Sequence, residues 1–227
     1  HGLILSVIRA KRTYSCPMPA AIAPILIALA SFVLRLVNLG STKGFIFDEV
    51  YYVDGARDLL KYGVEVSGSN PEFIVHPPVG KWLIGAGIAI FGDNEFGWRF
   101  ATALIGTLLI LVFARLVHVL FYSPLLTALG AALMALDGLL LVHSRTALLD
   151  LFLTFFVLVG VLLWHRDRHW WAGLAFGLAL GCKWSAIYFI AVIALIAVYR
   201  ILVNMDIRDS FRLIAKKFAQ YGLLPIA

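Results

Sequence analysis

What most limits this chain is a series of apolar runs, each about as long as a bilayer is thick, separated by short basic segments. The run "TALLDLFLTFFVLVGVLLW" begins at Thr146 and carries one charged side chain, Asp150. "GWRFATALIGTLLILVFARLVHVLF", from Gly97, and "SAIYFIAVIALIAVYRILV", from Ser185, are built the same way. A helix of about 20 apolar residues crosses the hydrocarbon core, and inside lipid a helix satisfies its own backbone polar groups. Charged residues make up 14% of the 227 residues, against about 25% in a soluble domain. The pattern predicts an all-α, polytopic transmembrane helical bundle.

About six spans are expected: residues 20–39, 97–121, 123–142, 146–164, 171–184 and 185–203. A first outer loop of about 40–96 holds an amphipathic piece, Val50 to Tyr62, and a short apolar piece, 79–92. At about 13 residues the latter is too short to cross and reads as interfacial or re-entrant. The formal charge of +6 comes from basic residues clustered between runs, such as Arg115, Arg166 and Arg168, and the basic, amphipathic tail Asn204–Lys217. This is the positive-inside pattern. It puts the N-terminus in the cytosol and the 40–78 loop and the "HSR" turn outside. No nucleic-acid-binding motif competes with that reading. Cys16 and Cys182 lie too far apart in the topology to form a disulfide framework. Basic Arg9, Lys11 and Arg12 before the first run, with no small-residue cleavage site after it, predict a retained helix.

With this orientation Asp48, Glu49 and His76 share one membrane face with Arg99, Arg145 and Lys183. Each residue also has an ordinary explanation. A lone cation at a helix end can snorkel, and Asp48 can cap a helix through the amide of Tyr51. Asp137 and Asp150 can simply neutralise cations, and His143, Asp150 and Thr154 read as one buried interhelical face. Taken together, the cations resemble a clamp for an anionic headgroup, and the acidic pair resembles a general base with a supporting acid. Asp48, Glu49 and His76 could also hold a divalent cation, although their spacing identifies no metal. Gly173, Gly177 and Gly181 form a small-residue stripe for tight packing.

The ordered set "FDEVYY", "HPPVGKWLI", "GWRFATALIG", "LDGLLLVHSRTALLDLFL" and "GLALGCKWSA" resembles the protein O-mannosyltransferase family, its actinobacterial members most closely. The resemblance covers roughly residues 25 to 203. It implies the GT-C fold of glycosyltransferases that use lipid-phosphate sugars, embedded as a multi-pass protein in the plasma membrane with its site on the extracytoplasmic side. It implies transfer of mannose from polyprenyl-phosphate-mannose to Ser or Thr hydroxyls of exported polypeptides, with inversion. Asp48 would be the base, Glu49 its neighbour in the acceptor site, and Arg99 the holder of the donor phosphate. Arg145 and Lys183 would assist at the phosphate, and His76 and Asp150 are further site candidates. The pattern prescribes no cofactor, and a divalent cation stays open. Membrane lipid and the secretion translocon are the expected surroundings. Family members are about twice as long, so the chain reads as the N-terminal part of one module. The alternatives are another GT-C glycosyltransferase using a different lipid-phosphate sugar or, from a different class, a membrane transporter or structural subunit.

Overall fold

A computed structural model describes residues 18–68, 70–71, 75–204 and 216–220. Cys16 and most of the basic tail lie outside these residues. The regular structure among the described residues is helical apart from one hairpin of two-residue strands. In order, the elements are α1 (Met18–Leu36), α2 (Glu49–Tyr62), β1 (Val66–Ser67), β2 (Asn70–Pro71), α3 (Val79–Phe91), α4 (Glu95–Phe121), α5 (Pro124–Leu136), α6 (Gly138–His143), α7 (Leu149–His165), α8 (His169–Cys182) and α9 (Ala186–Asn204). The strands pair antiparallel, Val66 opposite Pro71.

Helix α4 is the axis of the bundle, packing against α1, α3, α5 and α7. Its 27 residues give a length of about 40 Å, and it is the one described helix long and apolar enough to cross a membrane by itself. The other apolar helices are shorter or interrupted. Asn94 starts α4 by accepting hydrogen bonds from the amides of Phe96 and Gly97, which satisfies two of the donors orphaned at a helix start. That cap fixes where Arg99 emerges, one turn further on.

The apolar run from Ser123 to Val142 is not one helix. Asp137, extended at φ −61° and ψ 120°, ends α5 and caps α6 by accepting from the amide of Leu140. A carboxylate in an apolar run competes for backbone amides and breaks the helix there. A second break, the turn at 144–148, leaves His143 at the end of α6 and Asp150 at the start of α7. The single buried face expected for His143, Asp150 and Thr154 does not form, and Thr154 is exposed, its hydroxyl donating back to the carbonyl of Asp150. The 79–92 piece forms the short α3, as its length predicts.

The core at the charged end joins Tyr52, Val53 and Ala56 of α2 to Ile84 and Ile88 of α3, Trp98 of α4, Leu149 and Phe152 of α7, and Ala179 and Cys182 of α8. Small residues let these helices close up. Gly181, from the glycine stripe, faces Val79, and Gly106 faces Ser144. A Cβ on Gly87 of α3 would run into the carbonyl oxygen of Gly97 on α4, a backbone atom that cannot turn aside. Gly87→Ala should therefore push α3 from α4 and cost about 1–3 kcal/mol as overpacking. Gly85→Ala, whose nearest neighbour is the flexible Leu60 side chain at 3.4 Å, should be tolerated. Thermal unfolding of the two variants in detergent would test this, with a lowered midpoint expected for Gly87→Ala alone.

Candidate active site

The charged residues gather where the C-terminus of α1, the N-termini of α2 and α4, the α6–α7 turn and the α8–α9 turn meet. At the centre is an ion pair sealed from solvent, with Glu49 0% and Arg99 1% exposed. The guanidinium grips the carboxylate by two parallel hydrogen bonds, Nε to Oε1 at 2.8 Å and Nη2 to Oε2 at 2.7 Å. Its remaining N–H groups reach the carbonyls of Leu39, Thr42 and Gly44. Each carboxylate oxygen accepts a second bond, Oε1 from the amide of Ala147 at 2.7 Å and Oε2 from the amide of Ile46 at 2.8 Å. All five guanidinium donors and both carboxylate oxygens are thus engaged by protein groups. The family resemblance implies the donor phosphate for Arg99 and a place in the acceptor site for Glu49. In the structure the two hold each other, and the pair fastens the α1–α2 loop across the end of α4 and ties it to the turn before α7.

Asp48 precedes Glu49 but stands apart from the lock. It is half-buried, and its carboxylate makes no cap with the α2 amides. The amide of Tyr51 bonds the backbone carbonyl of Asp48 instead, so the helix-cap explanation of this acid does not hold. Its one hydrogen bond among the described residues comes from the Tyr52 hydroxyl to Oδ2, at 3.3 Å. Phe47, just before it, has a left-handed backbone (φ 54°), a costly conformation for a bulky residue. It is held there by the Glu49 amide bonding the Ile46 carbonyl and the Ile46 amide bonding the Glu49 carboxylate.

Asp48, Asp150 and Lys183 all lie close enough to His76 to act on its charge. The His76 ring sits 5.8 Å from that of Tyr52. Burial, then the positive charges of Lys183 and Lys81, hold its pKa below the usual histidine range, opposed by Asp150 and Asp48. Its Nδ1 is buried with no partner among the described residues. Lys183 donates to Asp150 Oδ1 at 2.8 Å and is a quarter exposed, so it retains further N–H donors. Trp184 donates to the Val75 carbonyl and pins the "HPP" segment to the α8–α9 turn. Lys81 and Glu65 form a second buried ion pair at 2.5 Å, against which Gly55 leaves room. Among the described residues no three His, Cys, Asp or Glu side chains converge on a metal position. Glu49 is locked by Arg99, so the Asp48–Glu49–His76 cation set is not assembled.

Arg145 is half-exposed and caps α1, donating to the carbonyls of Leu34, Arg35 and Asn38. Sequence reasoning missed Arg35, which is fully buried beside it and donates to Ser144 Oγ at 2.8 Å and to Ser31. It also missed Tyr52. The only available signal for Arg35 was a cation near the end of an apolar run, the same signal that snorkelling gives.

This assembly is a cluster of charged residues at one end of an apolar helical bundle, the architecture of a membrane-associated helical protein. The chain has the fold of the S. cerevisiae protein O-mannosyltransferase Pmt1–Pmt2 complex bound to the sugar donor, with a TM-score of 0.78 and 19% identity over the whole chain, covering 34% of that one. Residues 75–224 match the family model described as dolichyl-phosphate-mannose-protein mannosyltransferase, and the chain belongs to that family. It is 41% identical to the polyprenol-phosphate-mannose–protein mannosyltransferase of Mycobacterium tuberculosis over 73% of this chain and 38% of the relative. It is 32% identical to the protein of that name from Corynebacterium glutamicum over 77% of this chain and 41% of the relative. The chain therefore spans about two fifths of the length of these curated relatives.

Glu49→Gln should leave a buried guanidinium without its counter-charge. Breaking such a pair costs about 3–5 kcal/mol, so the variant should lose yield and melt well below wild type in detergent. Asp48→Asn, one residue away, should melt like wild type. Equal melting of all three proteins would contradict the lock.

Proposed function

We propose that the full-length protein transfers mannose from polyprenyl-phosphate-mannose to Ser or Thr hydroxyls of exported polypeptides, on the extracytoplasmic side of the plasma membrane. The observation that carries this reading is the state of Asp48: a half-buried carboxylate, free of capping and ion-pair duty among the described residues, held by the Tyr52 hydroxyl and close to His76. The relatives' names supply the donor and acceptor.

The chemistry follows from that placement. A neutral hydroxyl is a weak nucleophile, and Asp48 takes its proton as the oxygen closes on the anomeric carbon. The bond from that carbon to the phosphate oxygen breaks, and its electrons leave with the lipid phosphate. One displacement inverts the configuration. Lys183 supports the charge growing on the phosphate, with Arg145 as a second cation at the same end of the bundle. Asp150 positions the Lys183 ammonium. His76, kept neutral, is a hydrogen-bonding partner for the sugar or acceptor. Glu49 and Arg99 act from behind, as positioning residues. The apolar runs cross the membrane about six times, with α2 and α3 at the outer interface, where a chain leaving the secretion translocon can reach Asp48.

Transfer of labelled mannose from the lipid donor to a Ser/Thr peptide by the full-length enzyme tests the reading. Asp48→Asn should cut turnover at least about a hundredfold, in keeping with loss of a general base, while leaving donor binding intact. A folded Asp48→Asn enzyme with wild-type turnover would remove Asp48 as the base. The orientation has its own check. In a background lacking native cysteines, Ser67→Cys should react with an impermeant thiol reagent on intact cells and Asp167→Cys should not. The opposite labelling would overturn the topology.

A further inference from the structure

Two tyrosines follow the acidic pair in "DEVYY", and the fold treats them oppositely: Tyr51 is 70% exposed and Tyr52 only 3%. Tyr52 lies four residues after Asp48, one helical turn along α2, so its side chain returns to the same face. The ring packs into the core formed by α2, α3, α7 and α8 and against His76. The hydroxyl is left pointing at Asp48 Oδ2, 3.3 Å away. Asp48 Oδ1 has no partner among the described residues.

We infer that Tyr52 is a positioning residue for the transfer reaction, holding one oxygen of the Asp48 carboxylate so that the other, Oδ1, faces the acceptor hydroxyl. The inference rests on the reading of Asp48 as the base. A carboxylate on a short side chain can turn about its last bond, and an unheld one presents either oxygen in any direction. A donor on Oδ2, carried by an immobilised, buried ring, restricts that freedom and favours Oδ1 as the proton acceptor. The acceptor's O–H proton then passes to Oδ1 as its oxygen bonds the sugar carbon, while the hydroxyl of Tyr52 keeps its own proton and its bond to Oδ2. Burial and the negative charges of Asp48 and Asp150 hold the phenol's pKa above the usual tyrosine range. Tyr52 is therefore a permanent donor and cannot compete with Asp48 for the proton. Asp150 is engaged by Lys183 and Glu49 by Arg99. His76 supplies no hydrogen bond to Asp48 among the described contacts, so the orientation of Asp48 falls to Tyr52.

The test uses the full-length enzyme and labelled mannose transfer. Tyr52→Phe keeps the ring and its packing and deletes one hydroxyl. Turnover should fall about three- to tenfold, the range of one modest hydrogen bond, with KM for donor and peptide within twofold and the melting midpoint unchanged. Tyr51→Phe should behave as wild type. Introduced into Asp48→Asn, Tyr52→Phe should cost less than a further twofold, because a residue acting through Asp48 has nothing left to act on. Wild-type turnover in Tyr52→Phe overturns the inference, as does a loss that multiplies undiminished onto Asp48→Asn. If Asp48→Asn itself turns over normally, the base assignment fails first and the role of Tyr52 fails with it. An inactive Asp48→Asn beside a fully active Tyr52→Phe removes Tyr52 alone.

Discussion

One carboxylate and one guanidinium, neither touching solvent, hold the charged end of this molecule together. Removing two such ions from water costs several kcal/mol each, and mutual attraction repays this only when the remaining donors and acceptors are also satisfied. Glu49 and Arg99 meet that condition: two parallel bonds between them, three backbone carbonyls on the guanidinium and two backbone amides on the carboxylate. These bonds draw the α1–α2 loop, the start of α4 and the turn before α7 to one point. Everything proposed for catalysis stands on the edge of that knot.

The adjacent acids Asp48 and Glu49 therefore have separate surroundings, and helix geometry is the cause. Successive residues at a helix start point about 100° apart, so one carboxylate faces inward to Arg99 while its neighbour meets the Tyr52 hydroxyl near His76. Neutralising the inner acid leaves the outer one as the local carboxylate not bound by a cation. The left-handed backbone at Phe47, just before the pair, is held by the bonds between Ile46 and Glu49.

The cations divide in the same way. Arg99 is saturated, Arg145 and Arg35 serve the C-terminal end of α1, and Lys81 is buried against Glu65. A helix C-terminus carries partial negative charge and unpaired carbonyls, which gives an arginine there a structural duty whatever else it does. Lys183 differs because Asp150 uses only part of its donor capacity. A flexible ammonium with free N–H groups at the pocket's edge suits an anion that arrives and departs. Arg99, with every donor already held, does not.

The long apolar runs determined the helices, and the short length of 79–92 determined a short one. Loop charges and motif order were enough to bring Asp48, His76, Asp150 and Lys183 under suspicion, because their residue types are rare and expensive in such a chain. Tertiary structure decided the rest. Glu49 and Arg99 are far apart in sequence and neither carries a local mark of its partner. Before folding, Arg99 is indistinguishable from a phosphate ligand, Arg35 from a snorkelling cation and Tyr52 from Tyr51. Asp137 broke an apolar run that periodicity alone would continue. Hydrophobic periodicity is a property of neighbours along the chain, and the sequence therefore determines which segments become helices. Saturation of a charged group depends on which donors and acceptors other segments bring within about 3 Å, and only packing decides that.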